Sequence, residues 1–236
     1  MEDKGMVRTK VFQGFTSSFK EKQFRKLEQQ LIESNTECLL IGNYHIVKTD
    51  YDAIIITAMD IFVVEFKESI CEGTITVNDT CWTYSDGNIV WAGNHADNPF
   101  EQMRHKRNCL FGRLRRADMR SNLFIKTMIV FSQPFNLKKG ETLLKDVYND
   151  THGWFLSCTS DSMICTLEKH TSIYDVNIEA FTSYFGINRS LGMKKLPMRM
   201  VYLCRQFHKK IKKLFGIKIF SHSKKNDLLC IERIDF

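Results

Sequence analysis

Residues 61–67, Ile-Phe-Val-Val-Glu-Phe-Lys, constrain the fold more than any other stretch of this chain. Four consecutive apolar residues, Ile61 to Val64, read as a buried strand. That strand then ends in an acid and a base, Glu65 and Lys67, with Phe66 between them. Side chains two apart in a strand share a face, so Glu65 and Lys67 point one way and Phe66 the other. Two explanations stand side by side. One is an ion pair at a strand end, worth under about 1 kcal/mol if exposed. The other is half of a reactive edge.

The flanking sequence brings further acids toward that edge. YDAIIIT (51–57) precedes the strand across the short turn Ala58-Met59-Asp60. Asp52 and Glu65 are 13 residues apart, which suits antiparallel neighbours whose ends lie side by side. Asp52, Glu65 and Lys67 can then converge at one edge of a sheet. Upstream, Ser18-x-x-Glu21 is a capping-box pattern and predicts a helix over 19–34. Phe24, Leu27, Leu31 and Ile32 form its apolar stripe. Glu28 lies inside that stripe, so the spacing turns it inward, over the same edge.

The region 37–91 is strand-rich: ECLLIGNYHIV, YDAIIIT, IFVVEFK, GTITVN, CWTY and NIVW, separated by Asn, Asp and Gly signals. It reads as a meander of hairpins, with Trp82 and Trp91 as core aromatics. Asn98-Pro99 opens a basic helix over 99–118. LFIKTMIVF (123–131) is another buried-type strand. Past Pro134, helical patterns at 141–149, 161–170 and 175–185 surround a strand at GWFLSC. A basic amphipathic helix follows over 198–215, then the short strand candidates IKIF and LLCIERI. The organisation expected is a core over 15–135 and a basic, mostly helical extension over 136–236.

Eight cysteines form no Cys-x-x-Cys pair, which argues against a zinc ribbon and for reduced core residues. No run of about 18 apolar residues marks a membrane helix. The charged start, MEDKGMVRTK, lacks the apolar stretch of a secretory signal, so a cytoplasmic location is expected.

Charge is unevenly placed. Residues 101–126 hold eight Arg and Lys against two acids, and 194–225 hold eleven and no acid. Such concentration suits a polyanionic partner, although each segment alone also fits a solvated helix face. The candidate phosphate contacts are Arg104, Lys106, Arg107, Arg113, Arg115 and Arg116 on the first helix, and Lys209 and Lys210 on the second. The second cluster also fits an anionic membrane, with Leu214, Phe215 and Ile217 nearby; this ranks behind nucleic acid.

The acids and the lysine suit phosphodiester hydrolysis. Mg²⁺, or Mn²⁺, takes hard oxygen ligands and keeps several waters. Two carboxylates, Asp52 and Glu65, with the Phe66 carbonyl make a fair set. Lys67 can orient the attacking water or stabilise developing negative charge.

Several pieces recur together: a helix bearing Glu28, Asp52-Ala53-Ile54-Ile55, Val64-Glu65-Phe66-Lys67, Gly73-x-Ile75 with Trp82 beyond, and Asn98-Pro99-x-x-Gln102. In order and spacing, over roughly 20–135, they resemble the nuclease-related domain family of the PD-(D/E)xK nuclease superfamily. The resemblance implies an α/β restriction-endonuclease-like core, a mixed sheet flanked by helices. It implies Asp52 and Glu65 as metal ligands, Lys67 as catalytic lysine, Glu28 as a helix-borne acid and Gln102 as the polar residue after the core strands. The family usually carries Glu just before the Asp, and here Tyr51 stands there. The expected function is Mg²⁺-dependent cleavage of DNA, ranked ahead of RNA, in DNA processing or defence against foreign DNA. The alternative is a catalytically inactive nuclease-fold module that binds nucleic acid or serves as an adaptor. A partner protein or a second copy is compatible with either.

Overall fold

The computed structural model describes residues 6–46, 48–69, 72–93, 98–117, 119, 124–140, 153–172 and 176–187. Residues up to Asn188 form one compact unit. Lys209, Lys210, the expected basic helix over 198–215 and the helical pattern at 141–149 lie outside the described residues.

The elements are β1 (Val7–Val11), α1 (Ser18–Glu33), β2 (Cys38–Ile46), β3 (Thr49–Thr57), β4 (Ile61–Lys67), β5 (Gly73–Val77), β6 (Trp82–Tyr84), α2 (Pro99–Arg116), β7 (Ile125–Phe131), β8 (Phe135–Lys139), β9 (Phe155–Thr159), α3 (Met163–Lys169) and α4 (Ile178–Tyr184). The main sheet is mixed and six-stranded, in the order β1-β2-β3-β4-β7-β9. Its middle, β2 to β4, is antiparallel, and β1, β7 and β9 join in parallel.

Every residue of β4 is buried, because both faces of the sheet are covered. Phe62, Val64 and Phe66 pack with Phe24, Leu27 and Leu31 of α1. Ile61 and Val63 face Met103, Leu110 and Leu114 of α2. The α/β core with flanking helices expected from the sequence is therefore the one observed.

Several local expectations need correction. Ser17, not Ser18, caps α1, its hydroxyl accepting from the Lys20 backbone N–H at 3.4 Å. Ile32 is exposed, and Gln23 completes the buried stripe instead. The buried stripe therefore runs through Gln23, Phe24, Leu27 and Leu31, with half-buried Lys20 one turn before Phe24, and leaves Glu28 on its margin. The meander is split between two sheets: β5 and β6 leave the main sheet and build a three-stranded one with β8. The core does not close near 135, since β9 pairs in parallel with β7, and Phe181 of α4 joins the α2-side core. Trp91 is not a core residue; it is 70% exposed, whereas Trp82 is fully buried.

The described cysteines, Cys38, Cys81, Cys109, Cys158 and Cys165, are free. Burial pushes the thiols of Cys38 and Cys158 up to about 12, so both behave as inert core groups.

Gly42 of β2 marks a close approach of α1 to the sheet. A Cβ there would lie 2.7 Å from the buried Phe24 ring and 3.2 Å from Phe15. Gly42→Ala is expected to destabilise the fold by about 1–3 kcal/mol, read as a lower urea midpoint with unchanged slope.

Candidate active site

The β3–β4 ladder determines where the acids meet. Its last paired residues are Ala53 and Val64. One step further on, Asp52 takes over from the backbone: its Oδ2 accepts the Phe66 N–H at 2.9 Å. In a strand the N–H and C=O of one residue point to the same side. Phe66 therefore turns its carbonyl toward Asp52, while the Lys67 carbonyl faces β7 and accepts from Ser132. Asp52 is 3% exposed, as is Glu65.

Glu65 and Lys67 share the α2 face of β4, as their spacing requires. Asn98 caps α2, accepting from the N–H groups of Phe100 and Glu101, and Pro99 starts its first turn. Gln102, Met103, Lys106, Leu110 and Leu114 then recur at helical spacing and point inward. Gln102 Nε2 donates to Glu65 Oε1 at 3.1 Å, and the Lys106 ammonium pairs with Glu65 Oε2. Lys67 Nζ donates to Gln102 Oε1 at 2.8 Å and to the Trp91 carbonyl at 2.5 Å, and lies 3.3 Å from Glu65 Oε1. All three ammonium protons of Lys67 are thus engaged.

From the other side, Lys20 Nζ lies 2.7 Å from Asp52 Oδ1 and 3.8 Å from Glu65 Oε1. One ammonium bridges the two carboxylates. Lys20 is the most exposed member of this cluster, at 34% of its side chain.

These contacts push the groups apart. Burial alone would raise the Glu65 pKa, but Lys106, Lys67 and Lys20 outweigh it and hold the carboxyl below its ordinary range. Burial and the charge of Glu65 raise Asp52, against Lys106 and Lys20. Burial lowers Lys67, only partly offset by Glu65. At Lys20 burial also lowers the pKa, but Glu65 and Asp52 prevail and raise it. Separated values in one cluster are what acid–base chemistry uses.

The cluster opens into a cleft of about 590 Å³, whose cationic lining residues are Lys20, Lys48, Lys67 and Lys106. Gln102, Trp91 and Ile89 also line it.

The remaining expected residues fall elsewhere. Glu28 pairs with Arg25 on the margin of α1, at 2.9 Å, and is not among the cleft-lining residues. Lys106 is turned inward onto Glu65, away from the solvent face of α2. On that face Arg104 pairs with Glu101, while Arg113, Arg115 and Arg116 are exposed. Arg107 is half-buried, donating to the Ile125 carbonyl at 2.7 Å and packing on Trp154. Tyr51 is buried in the α2-side core, its hydroxyl donating to the Lys106 carbonyl at 2.9 Å.

Lys20 is absent from the residues expected from the sequence, and Lys106 enters them as a phosphate contact rather than as the partner of Glu65. The signal for both is helical phase. Lys20 precedes Phe24 by four residues, and Lys106 follows Met103 by three, so both continue an apolar stripe.

A divalent ion can be tested against this geometry. Among the described residues, no group of three or more His, Cys, Asp or Glu side chains converges. An ion would rely on Asp52, Glu65, the Phe66 carbonyl and water, a hard-oxygen set that Mg²⁺ accepts. The Lys20 ammonium already occupies a cation position between the two carboxylates and has a flexible stem by which to leave. The donor set therefore fits such an ion.

No helix among the described residues is long and apolar enough to cross a membrane. A family model described as a nuclease-related domain matches residues 17–132. Neither a curated protein nor a solved structure matches the chain.

Proposed function

We propose, from the premise that residues 17–132 are a nuclease-related domain, that this chain hydrolyses phosphodiester bonds in DNA with the aid of Mg²⁺ or Mn²⁺. The observation that carries the reading is the convergence of Asp52, Glu65 and Lys67 at the end of the β3–β4 ladder, where Glu65 and Lys67 line a cleft that also carries Lys20, Lys48 and Lys106. Asp52, Glu65 and the Phe66 carbonyl would hold the ion. Bound there, it would polarise the scissile phosphate and ease ionisation of the attacking water.

The chain's own residues do the rest. Lys67 would exchange its contact with Glu65 for the attacking water or the reacting phosphate, and its lowered pKa favours exchange of a proton. Gln102 and the Trp91 carbonyl fix Lys67 in place. Lys106 keeps Glu65 ionised and correctly turned. Lys20 and Lys48 receive flanking phosphates, contacts that carry no sequence preference. DNA processing or defence is the setting this activity serves best.

A second reading has its own support. Three ammonium groups already compensate Asp52 and Glu65, and Tyr51 fills the place of a usual acid. These features favour a nuclease-fold module that binds nucleic acid without cutting it.

The deciding experiment incubates plasmid and linear DNA with the protein in Mg²⁺, Mn²⁺ or chelator, beside Asp52→Asn. Cleavage that needs the ion and disappears in the variant is expected. Mn²⁺ binding by calorimetry should weaken in parallel. Binding of DNA without cleavage in any ion would favour the second reading.

A further inference from the structure

We propose that Trp91 is a base-stacking platform at the mouth of the cleft, and that the nucleic acid entering it is single-stranded. This rests on the nuclease reading and names its substrate class.

The segment after β6 alternates like a strand. Val90 and Ala92 are fully buried, while Ile89 and Trp91 are 48% and 70% exposed. Period-two geometry puts Ile89 and Trp91 on one face, and both line the cleft. The backbone beneath them is pinned: the Val90 N–H donates to the Trp82 carbonyl at 2.8 Å, and the Trp91 carbonyl accepts from Lys67 Nζ at 2.5 Å. Trp91 is therefore not a side chain on a loose loop. Its anchor is the same lysine that the mechanism uses.

The ring itself forgoes burial. Among the described residues Trp91 is the most exposed of the large apolar side chains. The cleft that it borders carries four lysines, Lys20, Lys48, Lys67 and Lys106, against the acids Asp50, Glu65 and Glu68. An exposed aromatic face beside cations is what an unpaired nucleotide requires, since its base offers a π-face and its phosphate a charge. A duplex hides its base faces within the stack, leaving Trp91 only groove edges and backbone. A base lying on Trp91 would bring its adjoining phosphate toward Lys67.

The test measures binding by fluorescence anisotropy, in chelator, to three probes of equal length: oligothymidine, an abasic oligomer and a duplex. The full-length chain is used as wild type, Trp91→Ala and Trp91→Phe, each checked by thermal melt. Wild type should bind oligothymidine roughly tenfold more tightly than the abasic oligomer. Trp91→Ala should bring oligothymidine down to the abasic level, and Trp91→Phe should restore most of the difference. A preference for bases that survives in Trp91→Ala overturns the proposal, as does wild-type binding to duplex as tight as to single strand. A change of oligomeric state in Trp91→Ala, with base preference intact, would make the ring a contact between copies and also overturn it. Cleavage separates this proposal from its premise. Base preference without hydrolysis in any ion removes the nuclease reading and leaves the platform, whereas hydrolysis without base preference removes only the platform.

Discussion

Lys67→Met should abolish cleavage while leaving the protein as stable as before. Loss of a positioned acid–base group is expected to slow hydrolysis by about 10²–10⁴-fold under single-turnover conditions. The stability expectation follows from the sign of the shift. Burial lowers the Lys67 pKa, so the fold disfavours its charged form. A neutral side chain of similar length relieves that cost, and the relief offsets the hydrogen bonds lost to Gln102 and the Trp91 carbonyl, while Glu65, 3.3 Å from Lys67, keeps its closer partner Lys106 and also Lys20. The net change should stay within about 1 kcal/mol. An ordinary strand-end ion pair behaves in the opposite way, since breaking it costs stability and spares activity. Measuring both quantities on one variant therefore decides between the two explanations of Glu65-Phe66-Lys67. Unchanged cleavage with a lowered melting temperature would sink the catalytic assignment.

Lys106→Met should do the reverse on the stability side. Lys106 is 6% exposed and pairs with Glu65, which is 3% exposed. Removing one partner of a buried pair leaves an uncompensated charge and costs several kcal/mol. Lys67 and Lys20 still face Glu65, so about 3 kcal/mol is expected, roughly 6–12 °C in melting temperature. The pH dependence carries a definite sign. The folded pKa of Glu65 is depressed, so its stabilising contribution is present above the ordinary value of 4.5 and is lost as pH falls toward the folded value. The gap between wild type and Lys106→Met should narrow once pH drops below that ordinary value. Combining Glu65→Gln with Lys106→Met should recover part of the loss, because both buried charges leave together. A constant gap down to strong acid would show that packing of the lysine stem, not its charge, is what the variant removes.

The two lysines were not equally legible in the sequence. Lys67 is two residues from Glu65 in an apolar run, and strand periodicity alone puts them on one face. Lys106 stands among arginines on a basic helix, and composition assigns it to the solvent face with them. Only its phase against Met103, Leu110 and Leu114 points inward. Glu28 shows the opposite error. It falls close to apolar residues on α1, but Gln23 rather than Ile32 completes the buried stripe, which rotates Glu28 to the margin and brings Lys20 to the centre. A stripe a few residues wide does not reveal which of its flanks the sheet will cover.

Local chemistry was enough for the strands β2 to β4, the caps and basic face of α2, and the meeting of Asp52 with the end of β4. These follow from side-chain periods of 2 and 3.6 and from a turn too short for anything but an antiparallel return. Long-range packing supplied the rest. β5 left the main sheet, with β6 paired to it, because the parallel partner of β5 is β8, more than fifty residues further along the chain. Trp91 stayed in the cleft because its buried neighbours, Val90 and Ala92, dictate the face left for it. Lys20 reached Asp52 because α1 packs across β3. Periodicity specifies which side of an element is apolar; what that side meets depends on contacts between distant segments, and those form only when the whole sheet closes.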